Sequence, residues 1–189
     1  MRRSRLLSEK PLMNTFPEIT PANVNAWLGK AVQDVTETMF EQAAYPEETL
    51  VEAAGAEETV VACIGVRGDF QLEVAMSFPL RLARQLASIS LEIPVADVDE
   101  KMIADVAGEC SNMVVGAVKS RISDMGIDCV MTVPRIVRGL GNAPELAQKI
   151  KASFAVIRGS AGPRDEAHSV HSQLLFRYGS DLLRLESHL

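Results

Sequence analysis

The sequence predicts an α+β fold, in which an antiparallel sheet carries long helices packed on one of its faces. The first observation behind this prediction is the order of the elements. A helix, a strand hairpin and a second helix are followed by a long helix and further strands. The second observation is a composition of 47% hydrophobic and 23% charged residues in a chain of 189, which suffices for one core without disulfides or metals. Because both halves begin with a helix and continue into strands, we expect the two halves to be related to each other.

Residues 1–19 are interpreted as an N-terminal extension, and residues 20–189 as a single domain. The extension has no clear period and contains Pro11 and Pro17. Its basic start is not followed by the apolar run that a signal peptide needs. No window of eighteen consecutive apolar residues occurs, so we expect no transmembrane helix and a cytoplasmic location.

Charge and cysteine content restrict the class of protein further. The formal net charge of −6 argues against nucleic acid as the main partner, because phosphate backbones favour basic surfaces. The cysteines are odd in number and widely spaced: Cys63, Cys110 and Cys129. A disulfide framework or a zinc site is therefore not expected, and a reducing compartment fits three buried free thiols.

The first helix is predicted over residues 20–44. Thr20 can cap the helix with its hydroxyl, and Pro21 is suited to the first turn. Apolar residues then recur at helical spacing, and Pro46 requires the helix to end before it.

Two extended segments and a short helix follow. Residues 59–67 are rich in β-branched side chains, and residues 70–78 alternate apolar and polar side chains. Gly68 and Asp69 between them indicate a hairpin turn. A second helix is expected over residues 79–89, with proline in its first turn.

The longest predicted helix covers residues 97–124. Asp97 and Glu100 have the spacing of a capping box, and Gly126 is placed to end the helix. The remaining chain is predicted to contain strands over 127–133, 153–158 and 170–178, with a loop over 134–144.

The long helix carries the candidate site. Side chains expected to form its core face are Ile103, Val106, Ala107, Cys110, Val114, Ala117 and Arg121. A second set falls within a sector about 60° wide, nearly opposite this face: Asp105, Glu109, Asn112 and Gly116. A solvated face is the ordinary interpretation of such a row. However, Asn and Gly each cost a helix roughly 0.5–1 kcal/mol relative to Ala, and an idle surface would not need them. Gly116 also leaves a notch in which another protein's backbone could come close.

This helix resembles the ExxN motif of the CheC/CheX/FliY chemotaxis phosphatases. The resemblance is carried by residues 105–116, DVAGECSNMVVG, and covers roughly residues 20–180 in weaker form. Residues 117–121, together with Gly126 and Pro134, are similar to CheX in particular. The resemblance implies a pseudo-two-fold CheC-like architecture. The first helix has Phe40 where a second motif would have asparagine, so a single active centre is implied.

The same resemblance implies a function for individual residues. The protein would hydrolyse the aspartyl phosphate of a CheY-like response regulator, with Asn112 orienting the attacking water and Glu109 pairing with a lysine of the regulator. Asp105, Gly116 and Lys119 would contact the partner. Magnesium would be held by the regulator, so the protein would need no cofactor of its own. A homodimer joined through sheet strands is also implied, with no nucleic-acid or membrane partner.

Other interpretations of the sequence are weaker or stay open. A non-catalytic module that docks on a receiver domain or a flagellar switch component is the main alternative, and a self-associating scaffold is another. His168 and His171 form an HxxH, but they would point to opposite faces of a strand, so metal binding is not expected. The segment from Gly139 to Gly141 is too short for a phosphate loop. Ser111 has no neighbouring histidine and is not predicted to be a nucleophile.

Overall fold

The computed structural model describes residues 19–48, 57–159 and 169–189. Within these residues the chain forms a seven-stranded antiparallel sheet and four α-helices, which confirms the predicted α+β class. The N-terminal extension lies outside the described residues apart from Ile19, which packs partly against the core, so that prediction stays a prediction.

The four helices and one short 3₁₀ turn are distributed along the whole chain. Their bounds are α1 Pro21–Phe40, α2 Leu80–Leu91, the 3₁₀ turn Val95–Asp97, α3 Glu100–Asp124 and α4 Pro144–Arg158. The strands are β1 Tyr45–Pro46, β2 Glu58–Gly68, β3 Leu72–Pro79, β4 Cys129–Met131, β5 Arg135–Leu140, β6 His171–Tyr178 and β7 Asp181–His188.

Helix α1 begins as predicted and ends four residues early. The Thr20 hydroxyl accepts a hydrogen bond from the Asn23 backbone N–H at 3.2 Å, as expected of a capping threonine. The helix ends at Phe40 instead of residue 44. The reason is a chain reversal: the Ala44 backbone N–H donates to the buried Thr36 hydroxyl at 2.8 Å, which is incompatible with further helix.

The sheet is built around β2. The β2–β3 hairpin predicted around Gly68 is confirmed, and the order of strands is β1-β6-β7-β3-β2-β4. The other side of β2 pairs with β4 near one end and with β5 near the other. Between them, Thr132 is held on Gly65 by two hydrogen bonds. Its backbone N–H donates to the Gly65 carbonyl at 2.8 Å, and its hydroxyl accepts from the Gly65 N–H at 3.0 Å.

The secondary-structure predictions are wrong mainly in the second half of the chain. The segment predicted as a loop over 134–144 contains strand β5, and the strand predicted over 153–158 is the end of helix α4. Strands β1 and β7 were not predicted. Helix α4 was missed because its end is rich in β-branched residues, whereas its buried residues Leu146, Phe154 and Ile157 recur at helical spacing.

The two faces of the sheet carry separate apolar clusters. Helices α1, α2 and α3 cover one face, as predicted, and form the large core with side chains such as Leu28, Ile64 and Phe78. Helix α4 lies on the opposite face, where Phe154 and Ile157 pack on the β2–β3 side chains of that face. The prediction of helices on one face therefore holds for three of the four described helices.

Replacing Gly65 with alanine should destabilise the fold. A Cβ atom there would lie 2.5 Å from Ile157 Cγ2, and the branched Ile157 side chain is buried with little freedom to move. We expect a loss of roughly 1–3 kcal/mol in the free energy of unfolding, measured by denaturant titration. Gly29→Ala is the control, because a Cβ atom at that helical position meets only Phe176 at 4.0 Å. Equal stability of the two variants would contradict the packing of α4 on β2.

Candidate functional site

Helix α3 positions the candidate site, and its start is well defined. The Asp99 carboxylate accepts a hydrogen bond from the Met102 backbone N–H at 2.8 Å and caps the helix. The prediction that Asp97 caps α3 is wrong, because Asp97 is the last residue of the preceding 3₁₀ turn. The predicted end is confirmed: Gly126, with φ of 81°, follows the last turn.

Ion pairs fasten the first turn of α3 to its neighbours. Glu100 pairs with Arg84 of α2 at 3.2 Å and with Arg138 of β5. Arg138 also reaches Glu58 of β2 at 3.0 Å. Since these groups come from four elements, the network links the start of α3 to α2, β2 and β5.

The buried face of α3 is wider than predicted. Most of the expected core residues are buried, but Ala117 and Arg121 are exposed, which corrects that part of the prediction. Further buried positions are Gly108, Ser111, Val115, Val118 and Ile122. The difference arises because α3 packs against α1 and α2 on one side and against β2, β4 and β5 on the other. A helix enclosed on two sides buries more than the single stripe that a helical wheel assumes.

The predicted polar stripe lies outside this buried face. Asp105 and Glu109 are exposed, and Asn112 and Gly116 are half-buried. Asp105 forms an ion pair with Lys101 at 2.6 Å, and this hydrogen bond, followed by the carboxylate charge, raises the pKa of Lys101.

Glu109 and Asn112 differ from Asp105 in having no partner. Neither side chain makes a hydrogen bond or ion pair with another of the residues that the structure describes. The two lie three positions apart, so both project from the same side of α3 within one turn. A carboxylate and an amide are thus both available to an external partner.

A row of small side chains brings the sheet edge close to this site. A Cβ atom built on Gly108 would lie 3.9 Å from Pro134 Cβ, and one on Gly116 would lie 3.7 Å from Met131 Sδ. The notch expected at Gly116 is therefore partly occupied by Met131. Asn112 lies midway between the two glycines and is half-buried for that reason.

Neighbouring groups on α3 do not offer a nucleophile. The buried Ser111 hydroxyl donates to the Ala107 carbonyl at 2.9 Å, as is common for serine inside a helix. Burial, with a smaller effect from the Glu109 charge, raises the pKa of the Cys110 thiol to about 12. A thiol with that pKa stays protonated near neutral pH and is a poor nucleophile. The chemistry available here is therefore that of the exposed carboxylate and amide.

Helix α1 does not provide an equivalent second site. Phe40, which stands where the second motif would have asparagine, is only 2% exposed. Its ring packs edge-on against Tyr178 at a centroid distance of 6.4 Å, and its carbonyl accepts a hydrogen bond from the Tyr178 hydroxyl. A buried aromatic side chain can neither reach a partner nor orient a water.

The histidine pattern does not form a metal centre in the described part of the chain. His168 lies outside the described residues, and His171 stacks on His188 with ring centroids 4.5 Å apart. No group of three or more His, Cys, Asp or Glu side chains able to hold a metal occurs within residues 19–48, 57–159 and 169–189. Among the helices of those same ranges, none is long and apolar enough to cross a membrane.

A groove of about 930 Å³ lies on the other face of the sheet, beside α4. Its charged side chains largely neutralise one another. Arg158 pairs with Glu73 at 2.8 Å, and Arg81 pairs with Asp181. The groove is therefore separate from the α3 stripe, and several of its charges are paired within the protein.

Helix α3 thus presents an exposed carboxylate and a half-buried amide on one turn. The family described as "Chemotaxis phosphatase CheX" matches residues 60–156, just over half of the chain. The chain belongs to this family. No curated protein sequence gives a significant match.

Solved structures of the same fold cover nearly the whole chain. A CheC-like superfamily protein from Shewanella sp. PV-4 is 19% identical, with a TM-score of 0.65 over 89% of this chain and 98% of that one. Chemotaxis protein CheX from Vibrio vulnificus is 20% identical, with a TM-score of 0.61 over 87% and 93%. A chain of the CheX-CheY-BeF3-Mg complex from Borrelia burgdorferi is 11% identical, with a TM-score of 0.55 over 87% and 96%. At these identities the likeness shows the fold.

Two glycines of the α3 region should respond oppositely to alanine. Gly116→Ala should raise the free energy of unfolding by up to about 1 kcal/mol, because the added methyl makes only an ordinary contact with Met131. Gly126→Ala should lower it by roughly 1 kcal/mol, because φ of 81° disfavours a side chain. Thermal unfolding of both variants measures the difference. A destabilised Gly116→Ala protein would mean that α3 lies closer to β4 than the structure has it.

Proposed function

We propose that the protein is a phosphatase that hydrolyses the aspartyl phosphate of a CheY-like response regulator. The observation that carries this proposal is that the exposed Glu109 and the half-buried Asn112 lie on one turn of α3 with no hydrogen-bond or ion-pair partner among the described residues. Membership of the chemotaxis phosphatase family supports the same activity. The substrate is therefore a macromolecule that presents its phosphoryl group to a helix surface, and no deep pocket is needed.

The reaction places modest demands on the enzyme. An aspartyl phosphate is an acyl phosphate, and its hydrolysis needs a water held in line with the phosphorus. The water oxygen forms a new bond to phosphorus while the bond from phosphorus to the aspartate oxygen breaks. The products are inorganic phosphate and the free carboxylate. Positioning accounts for most of the acceleration in such a step.

Asn112 has the chemistry that this positioning requires. Its side-chain oxygen can accept a hydrogen bond from the water while its NH₂ group donates to a phosphoryl oxygen. Its place between Gly108 and Gly116 keeps bulky side chains of its own helix row away from the incoming phosphoryl group. Burial of part of the side chain also limits its rotamers, which reduces the entropy lost on binding.

Glu109 is proposed to set the register between the two proteins. As an exposed carboxylate without a partner among the described residues, it can pair with a lysine close to the phosphorylated aspartate of the regulator. Asp105, Gly116 and Lys119 are proposed as contacts at the rim. Asp105 must exchange its pairing with Lys101 to make such a contact, so its contribution should be smaller than that of Glu109.

Magnesium is proposed to be bound by the regulator and not by this protein. A cation bound to the partner's carboxylates would neutralise charge on the phosphoryl group during the reaction. The groups of this chain would then supply orientation only, which agrees with the roles proposed for Asn112 and Glu109.

A homodimer joined through sheet strands is proposed as the assembly. Among the described residues, β1 covers β6 only toward its C-terminal end, so the rest of this sheet edge is open, and edge strands favour pairing with another strand. Pairing through an edge leaves the outer side of α3 free in both copies. Sedimentation velocity of the full chain should give a dimer mass, and a monomer at micromolar concentration would contradict this assembly.

Replacing Asn112 with alanine should strongly reduce the activity without harming the fold. The wild-type chain is mixed with each CheY-like receiver domain of the source genome, phosphorylated by acetyl phosphate with Mg²⁺, and loss of phosphate is followed. We expect Asn112→Ala to lower the maximal rate by about a hundredfold, because the water is no longer oriented. Glu109→Gln should mainly raise the receiver concentration at half-maximal rate, by about tenfold.

Asn142→Ala is the matched control, since Asn142 is an exposed asparagine beside α4 on the other face of the sheet. It should behave as the wild type. Equal acceleration by wild type and Asn112→Ala would exclude the mechanism. Binding of the phosphorylated receiver without acceleration would instead identify a non-catalytic docking module.

A further inference from the structure

Val133 is an apolar side chain that projects into solvent. At 82% exposure it is the most exposed large apolar residue in the part of the chain that the structure describes. It lies in the connection between β4 and β5, directly after Thr132, whose two hydrogen bonds to Gly65 fix the backbone. Pro134 follows and restricts the backbone on the other side.

An isolated exposed valine is ordinary on a protein surface. What sets Val133 apart is its position relative to the candidate site. Gly108, Asn112 and Gly116 are spaced by four residues and form one row along α3. The β4–β5 connection passes along this row, with Met131 against Gly116 and Pro134 against Gly108.

Asn112 therefore faces the middle of that connection, where Thr132 and Val133 lie. It is about 6 Å along the helix axis from each glycine, given a rise of about 1.5 Å per residue. The Thr132 hydroxyl accepts a hydrogen bond from Gly65 of β2, so the side chain in the middle of the connection that can contact a partner is Val133. We call the junction between α3 and the connection the floor: the half-buried Asn112 lies on its helix side, and the connection that carries the exposed Val133 forms its rim.

Met113 borders the same floor from the other side. It follows Asn112 on α3 and is 36% exposed, so its thioether side chain reaches the surface next to Glu109. Apolar side chains that surround a polar contact exclude water from it when a partner covers them. The arrangement is thus a polar pair with an apolar side chain on each flank.

We infer that Val133 is a docking contact for the receiver domain and that this contact contributes to the affinity of the enzyme for its substrate. The inference rests on the proposed function, because the occupant is the protein whose phosphoryl group reaches Asn112. Val133 and the floor between α3 and the connection belong to one continuous surface. A globular partner that reaches this floor must therefore also cover Val133. The receiver is expected to present an apolar side chain beside its phosphorylated aspartate.

The role is one of binding and not of chemistry. A valine has no group that can move a proton or orient a water, so its effect must appear in the receiver concentration at half-maximal rate. Burying the Val133 methyl groups against an apolar side chain of the receiver would stabilise the complex through apolar contact. A carboxylate at this place would be desolvated without a partner and would weaken the complex.

The test uses the full-length chain and the phosphorylated receiver domain that the wild type dephosphorylates. We expect Val133→Asp to raise the receiver concentration at half-maximal rate by about tenfold or more, and Val133→Ala by about two- to fivefold. The maximal rate should stay within about twofold of the wild type for both variants. Their thermal unfolding should match the wild type, because the side chain is almost fully exposed.

Val130→Asp is the matched control. Val130 is also exposed, at 62%, and lies in the neighbouring strand β4. It points to the other face of the sheet, because Cys129 and Met131 on either side of it pack toward α3. The control should leave both kinetic constants unchanged and should reveal any general effect of added negative charge.

The outcomes separate this inference from the proposed function. If the wild type is active and Val133→Asp has the same kinetic constants as Val130→Asp, the inference is overturned and the proposed function stays intact. A fall in maximal rate alone, or a change in sedimentation of Val133→Asp, would also overturn it, because Val133 would then serve the chemistry or the assembly. A wild type that dephosphorylates no receiver would remove the proposed function and this inference together.

Discussion

The site depends on the packing of helix α3 between two other helices and the sheet. The first turn of α3 is linked to its neighbours by the Glu100–Arg84 and Glu100–Arg138 ion pairs, and the sides of the helix pack on α1 and on strand β2 of the sheet. Packing on two sides fixes the rotation of the helix about its axis, because a turn of one residue would expose apolar side chains and bury charged ones. The narrow face that remains carries Glu109 and Asn112. The site is thus a consequence of the core, and no separate loop is needed to hold it.

A rigid helix suits the proposed reaction better than a mobile loop. Orienting one water needs an amide that is already in place, since any freedom left in the side chain must be lost again on binding. Asn112 is half-buried between α3 and the β4–β5 connection, and Thr132 ties that connection to the centre of the sheet. Glu109, by contrast, is exposed, as expected for a group that must find a charged partner on another protein.

The sequence predicted the locally coded features and missed the long-range ones. Helix α1 and the β2–β3 hairpin follow from capping, periodicity and turn residues, and so does most of α3. Helix α4 was taken for a strand because residues 153–158 carry β-branched side chains, and only the β2–β3 surface decides that they pack as a helix. The site residues were found on the helical wheel. Their exposure could be predicted, whereas the approach of Met131 and Pro134 to α3 could not, since it depends on contacts that are distant in sequence.

The central claim is that the outer face of α3 around Glu109 and Asn112 receives the receiver domain. The most direct test is a titration of isotope-labelled protein with a receiver domain activated by beryllofluoride and Mg²⁺, followed through the Asn112 side-chain amide in ¹H–¹⁵N NMR spectra. The Asn112 amide should shift strongly, together with backbone signals of residues 105–117 and 131–134. An unshifted Asn112 amide, with changes confined to the groove beside α4, would contradict the claim.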